Sequence, residues 1–373
     1  MAGTASTHWS IPLAETAIGE EEQAAVARVL KSGWLTAGSE TASFEAEFAA
    51  RAGVAHALAL TNGTAALHLA NLALGLGPGD EVLCPALTFV ASANASRYTG
   101  AEVVFCDVIG PEDLTIDPAD IERKITPRTK AVTVMHYGGF PCRMDPILEI
   151  AARRGLHVIE DCAHAPLAQG AGTRGAVSAF SFFGNKNMTT GEGGMLTTND
   201  GAIAEFVRLH RSHGMTTASY DRFRGHAHGY DVTALGFNYR IDDVRSAIGR
   251  AQLAKLDDLN ARRREVFRWY LDELAGHDRI VVPFADRDLA TATPHIFSVV
   301  VRDGVRAMRE RLTEAGIQSS RHYDLIPSFS IYKDARGATP VAAGLTLLTL
   351  PFGPFLTRAQ VALIGREVRS AGK

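Results

Sequence analysis

Cysteine is scarce in this chain and never paired: Cys84, Cys106, Cys142 and Cys162 lie 22, 36 and 20 positions apart, without a CxxC or zinc-ligand spacing. Such scatter argues against a disulfide framework and fits a reducing compartment. A charge excess is missing too. The 38 basic and 41 acidic residues leave a formal charge of −3 with no long basic run, which counts against nucleic acid as a partner. Long hydrophobic runs are absent as well. The longest uncharged apolar stretch, about Pro340 to Leu356, is broken by Gly344, Pro351, Gly353 and Pro354, whereas a spanning helix needs ~20 apolar residues without such breaks. The opening MAGTASTHWS has neither the basic start nor the apolar core of a signal peptide. A cytoplasmic protein without a membrane segment is expected. No internal repeat or low-complexity tract appears.

What is present is ordinary globular material. Hydrophobic residues make up 46% of the 373 and charged residues 21%, enough to bury a large core and to fill two domains, or one with an appendage. Residues 1–14 read as an extended lead-in. Helices are expected over about 20–31 and around Phe44 and Phe48, which share a face. From Ala55 short apolar runs alternate with helical stretches. Strands are expected at 55–60, 81–84, 102–107, 130–135, 156–160, 179–183 and 194–198, with helices at 64–74, 88–97 and 143–153. That alternation implies a mostly parallel sheet covered on both faces. Beyond about residue 200 the strand signal fades into a Gly-, His- and Arg-rich loop at 214–230. One long helix is then expected over about 242–274, followed by a strand at 296–301, a helix at 305–315 and a last helix at 357–370. The expected domains are 1–250, a large sheet domain, and 251–373, a smaller α+β domain.

Gly75-Leu76-Gly77-Pro78-Gly79 looks like a nucleotide loop, but it follows a helix and precedes a strand. A dinucleotide loop needs the opposite order, so a helix stop and turn is expected here. Three other segments carry chemistry. Thr61-Asn62-Gly63-Thr64 follows a buried strand and opens a helix, where free N–H groups and the helix dipole favour a phosphate; a plain N-cap by Thr61 or Asn62 is the alternative. In Leu156-His157-Val158-Ile159-Glu160-Asp161, Asp161 ends a strand at the edge where open α/β sheets bind ligands. There it can pair with a cationic ring nitrogen or simply cap the next segment. In Ser181-Phe182-Phe183-Gly184-Asn185-Lys186, a lysine follows an apolar strand. If partly buried it loses proton affinity, as a Schiff-base amine requires; a surface-loop lysine is the plain alternative.

These segments, with Gly33-Trp34-Leu35-Thr36, Gly79-Asp80-Glu81-Val82, Thr88-Phe89-Val90-Ala91, Glu160-Asp161-Cys162-Ala163-His164-Ala165 and Gly236-Phe237-Asn238-Tyr239-Arg240, resemble the DegT/DnrJ/EryC1/StrS-type sugar aminotransferases. The resemblance covers nearly the whole chain. That family makes amino sugars and aminocyclitols for antibiotics and cell-surface glycans. The resemblance implies an aspartate-aminotransferase-like α/β fold (fold type I) and a pyridoxal-5'-phosphate (PLP) cofactor. By the same resemblance Lys186 is the Schiff-base lysine and proton shuttle, and Asp161 keeps the pyridinium nitrogen protonated. His164 touches the ring hydroxyl, Phe89 stacks on the ring, and Gly63, Thr64 and Ser181 cradle the phosphate. Asn238, with Arg240 as the alternative, reaches the phosphate from the neighbouring subunit of a homodimer. Glu192 shapes a turn.

His322 and Tyr323 match a stretch near the substrate, although Asp324 stands where a proline is more usual. Tyr230 and the surrounding loop (His213, Arg222, Arg224, His226, His228) are where acceptor contacts are expected, with a plain solvated loop as the alternative; two histidines at 226 and 228 alone do not make a metal site, and no metal is expected. The implied reaction is ping-pong transfer of an amine, from glutamate, onto a keto-sugar, foremost a nucleotide-linked keto-deoxysugar. A cyclitol or other free keto compound is the alternative acceptor. A PLP-binding regulatory protein without turnover is the reading from another class, against which the intact Lys186–Asp161 pair counts.

Overall fold

A computed structural model describes residues 9–217, 220, 225 and 229–371. Two helices, α1 (Glu20–Ser32) and α2 (Ser39–Ala52), precede β1 (His56–Leu60) and α3 (Gly63–Ala73). Next come β2 (Glu81–Pro85), α4 (Ala91–Tyr98), β3 (Glu102–Cys106), a ribbon of β4 (Val108–Gly110) and β5 (Asp113–Ile116), and α5 (Pro118–Lys124). The unit closes with β6 (Thr129–Met135), α6 (Met144–Arg154), β7 (His157–Asp161), β8 (Val177–Ser181), β9 (Gly194–Thr198) and α7 (Gly201–His210).

Seven of these strands form one sheet in the order β1-β9-β8-β7-β6-β2-β3. Neighbours from β8 through β3 are all parallel, and only β9 runs against its two neighbours. Alternation along each strand feeds both faces. Leu58 and Leu60 pack under α3, while Ala57 and Ala59 face the side of α2. There Phe44 and Phe48 are fully buried, and the Phe48 ring lies 5.0 Å from Phe180 and 5.8 Å from Phe182. Removing one such ring costs about 3–5 kcal/mol. Because β1, β7 and β8 point the same way, their carboxyl ends share one edge. That edge is where the chemistry-bearing segments meet.

The strand expected at 179–183 lies two residues earlier, because the chain turns after Ser181 toward Lys186. The Gly75–Gly79 segment is a turn, with Gly75 and Gly79 at positive φ. Helix α7, which the sequence did not signal, is capped by the Asp200 carboxylate accepting from Ala202 and Ile203 N–H.

The single helix expected over 242–274 is instead two, α8 (Asp243–Ala254) and α9 (Leu256–Leu274), separated by Lys255 at φ −104°, ψ 6°. Each half serves a different neighbour: α8 packs on α1 and α2, whereas α9 packs on the last helix. Glu22 holds the joint, taking Lys255 Nζ at 2.7 Å and Gln252 Nε2 at 2.8 Å. The remainder comprises β10 (Ile280–Val281), β11 (Phe297–Val301), α10 (Val305–Glu314), α11 (Pro340–Ala343), β12 (Leu347–Leu350) and α12 (Arg358–Ser370). Its three strands make an antiparallel sheet, β10-β11-β12. β12 falls inside the apolar stretch whose prolines and glycines mask a four-residue strand. The lead-in belongs to this layer: Ile11 is buried and pairs with Ile317, and Phe352 N–H donates to Leu13 O at 3.0 Å.

Candidate active site

A cavity of about 450 Å³ opens at the shared carboxyl edge of the large sheet, lined by Gly63, Thr64, Phe89, Asp161, His164, Ser181, Lys186, His322 and Tyr323 among others. Nine of the residues that the sequence put forward are therefore brought together. Two others are elsewhere. Asn238 is exposed and pairs through its backbone with Ser212, and Tyr230 is exposed. Arg222, Arg224, His226 and His228 lie outside the described residues.

One wall is the start of α3. Asn62 caps it, accepting from Ala65 N–H at 2.8 Å, so the capping reading of this loop also holds. The Gly63 and Thr64 N–H groups have no hydrogen-bond partner among the described residues. They are two of the four donors that a helix start leaves free. Glycine is required here by contact: a Cβ on Gly63 would stand 3.0 Å from Ser181 Cβ, and one on Gly194 would stand 2.4 Å from the Asn62 carbonyl carbon. The close approach sets Ser181 beside the helix start, and the result is an anion cradle.

Asp161 is the opposite anchor. It is buried, with Ser92 Oγ donating to Oδ2 at 2.6 Å and Ala163 N–H to Oδ1 at 3.0 Å. Thr88 Oγ1 backs Ser92 at 3.0 Å. Lys186 enters from the turn after β8. Burial pushes its amine down from 10.5 to about 8, although Asp161 pulls the other way. Three histidines surround it. His164 and His295 are held well below the imidazole range and His322 is pushed down to about 4, in each case first by burial and next by the Lys186 charge. At neutral pH the histidines are neutral. His164 Nδ1 accepts from Gly138 N–H at 3.3 Å, so its proton sits on Nε2, 2.8 Å from the Tyr323 hydroxyl. Tyr137 donates its hydroxyl to His322 O, fixing that segment over the cavity. Phe89 stays 53% exposed at the rim, its ring 5.9 Å from that of Tyr323. A large apolar ring left bare at the rim of the cavity fits a flat ligand face.

The sequence did not single out Ser92, His295 or Phe183. Ser92 carries a faint signal, a hydroxyl four residues after Thr88 at a helix start. His295 carries none, since it reaches the site from 109 positions beyond Lys186. Glu192, read as a turn residue, lines the cavity. Among the described residues one trio of possible metal ligands lies together: His136, Glu160 and Cys162, all buried. Its donors are already engaged. His136 Nε2 lies 2.9 Å from Glu160, which also accepts from the Gly172, Arg174 and Gly175 N–H groups.

A partly buried lysine of lowered proton affinity, a braced carboxylate and a helix-start anion cradle around one cavity define a pyridoxal-phosphate enzyme of fold type I. The residues fit that cofactor: Gly63 leaves room a Cβ would fill, and Lys186 and Asp161 face the same space. Comparison with known proteins gives the family. The profile of the DegT/DnrJ/EryC1/StrS aminotransferase family matches residues 16–369, and the chain belongs to it as a PLP-dependent transaminase. It is similar to the GDP-perosamine synthase of Caulobacter vibrioides, 39% identical over 367 residues, 94% of this chain and 95% of that one. Among solved structures it resembles the aminotransferase TlmJ from Streptoalloteichus hindustanus, with TM-score 0.88, 35% identity, and 97% and 98% of the two chains covered. It also resembles Spr1654 from Streptococcus pneumoniae in its PLP form, with TM-score 0.88, 26% identity, and 97% and 98% covered.

Proposed function

We propose that this transaminase moves the amino group of glutamate onto a nucleotide-linked keto-deoxysugar by a ping-pong mechanism. The observation that carries the reading is the meeting of Lys186, Asp161 and the Gly63–Ser181 cradle in one cavity. Likeness to a GDP-perosamine synthase over nearly the full length supports a nucleotide-linked sugar as acceptor. Pyridoxal phosphate supplies an electron sink when bound. Gly63, Thr64 and Ser181 hold its phosphate, and Phe89 covers its face. The Asp161 carboxylate, fixed by Ser92 and Ala163, keeps a proton on the ring nitrogen. Lys186 anchors the cofactor. Once released, its amine would take a proton from the substrate carbon bonded to nitrogen and deliver it to the cofactor carbon on the other side of that nitrogen, which requires an unprotonated Nζ. The half-buried His322 and Tyr323 line the acceptor side and exclude water. Asn238, exposed and away from this cavity, serves the cavity of a second copy in a homodimer.

An amine-transfer assay over a panel of keto-sugar nucleotides, with glutamate as donor, tests the proposal. Turnover of at least one nucleotide sugar is expected. Turnover of an inosose with none of the nucleotides accepted would transfer the assignment to a cyclitol.

A further inference from the structure

The turn that delivers Lys186 is anchored from outside the cavity by the residue that follows it. Asn185 and Lys186 line the cavity, whereas Asn187 does not and is buried in the packing behind it. Its Nδ2 donates to Asn260 Oδ1 and to Thr293 O, each at 3.0 Å, and to Pro294 O at 3.3 Å. Two of these are backbone carbonyls, which only accept, so the nitrogen end of the amide is fixed. Oδ1 then accepts from His295 Nδ1 at 3.1 Å. One planar group thus joins three segments: the Lys186 turn, α9 through Asn260, and the 293–295 stretch that leads into β11.

Other bonds shape the turn or hold its ends. Lys186 N–H donates to Phe183 O at 3.0 Å and Thr190 N–H to Phe182 O at 2.9 Å, which closes the turn on itself. Thr16 Oγ1 donates to Gly184 O at 2.9 Å, an exposed contact, and Thr189 N–H to Gln252 Oε1 of α8 at 3.2 Å. The tie beside the lysine is the Asn187 amide. No other side chain of its size offers two N–H donors and an acceptor at that reach. Aspartate would set an oxygen against three acceptors, and leucine would leave buried carbonyls and the His295 N–H unpaired.

We infer that Asn187 is a positioning residue for Lys186: its amide clamps the backbone directly after the lysine to α9 and to the 293–295 segment, and so keeps the turn from lifting the amine toward solvent. The inference rests on Lys186 being the working amine of the reaction proposed above. Burial is what brings that amine from 10.5 down to about 8, and burial lasts only while the turn is held. Of the other titratable groups lining the cavity (Asp161, His164, Glu192, His295, His322 and Tyr323), His295 alone bonds to Asn187. Cutting the clamp therefore acts on the lysine mainly by letting water reach it, which raises its proton affinity.

Three substitutions separate this role from packing. The measurement is the pH midpoint of Lys186 acylation by acetic anhydride in the cofactor-free full chain, followed by peptide mass spectrometry. Asn187→Ala should raise the midpoint by about one pH unit, a tenfold smaller share of free amine at any pH below it. Asn260→Ala removes one acceptor, leaves the His295 bond intact, and should raise the midpoint by less. Val368→Ala, in the buried core of α12 and outside the cavity, loosens the fold without touching the turn and should keep the parent midpoint. An unchanged midpoint in Asn187→Ala would overturn the proposal. An equal rise in Val368→Ala would overturn it too, by tracing the effect to lost stability. Should Asn187→Ala not fold, Asn260→Ala decides by the same criteria. No amino donor or acceptor is present, so failure here leaves the proposed reaction standing, and failure of the sugar panel leaves this result standing.

Discussion

Replacing Lys186 by methionine should stabilise the cofactor-free chain while abolishing its activity. The buried amine has its proton affinity lowered from 10.5 to about 8. At 1.36 kcal/mol for each tenfold step, folding with the charge in place costs roughly 3 kcal/mol. The cavity opens to water at the Phe89 rim, which screens part of this, so about 1–2 kcal/mol should survive at pH 7. Methionine keeps the length of the side chain and removes the charge. The pH dependence fixes the sign. Below about 8 the lysine is charged both folded and unfolded, and the full cost is present. Between 8 and 10.5 the unfolded chain holds a proton that the folded chain has released, so the wild type gains stability with rising pH. Above that window the cost is gone. Urea unfolding of both proteins at pH 6.5, 8.5 and 10.5 should show the methionine variant ahead at 6.5 and the gap nearly closed at 10.5. A variant no more stable than the parent at pH 6.5, or a gap that stays constant with pH, would refute the buried-charge reasoning.

Other substitutions test the remaining parts of the site. Asp161→Ala should leave Lys186 able to bind the cofactor, with its visible absorbance band, yet cut turnover by orders of magnitude; near-normal turnover would contradict the assigned role. Ser92→Ala removes a hydrogen bond to a buried carboxylate, a contact worth about 1.5–3 kcal/mol. Steady-state kinetics should show a roughly ten- to hundredfold loss in kcat/KM, and a loss under twofold would show that Asp161 is held without it. Gly63→Ala forces a Cβ to 3.0 Å from Ser181 Cβ and 3.2 Å from Phe180 O. Cofactor affinity measured by fluorescence titration should fall at least tenfold, with the thermal midpoint of the cofactor-free chain dropping far less.

The large sheet was legible because buried parallel strands are short, apolar and separated by helices. Each expected strand from 55 to 198 has an observed counterpart. Leu156–Glu160 and Gly194–Thr198 needed only local pattern, and Asp161 and Lys186 could be placed because a strand end fixes which edge a following residue reaches. The illegible parts depend on distant partners. Lys255 looks like any helix interior, and it interrupts the helix where α8 follows α1 and α9 turns to α12. Four-residue β12 is a strand because β11 lies beside it and Ser320 pairs with Thr349 on its other side. Ser92 and His295 join the site through tertiary packing, from 69 and 134 positions away from Asp161.

The union of Ile11 with Ile317 spans 306 positions. On the ribosome, at about 5–20 residues per second, the early segment waits roughly 15 to 60 s before its partner is made. During that interval it is an unpaired apolar edge, able to join whatever strand is nearby. A fragment ending near residue 250 would leave it in that state permanently. One beginning there would lack the strip that covers Ile317. Splitting this protein into separately expressed halves should therefore yield aggregation-prone pieces, and co-expression should rescue them only if both carry their share of that long-range pairing.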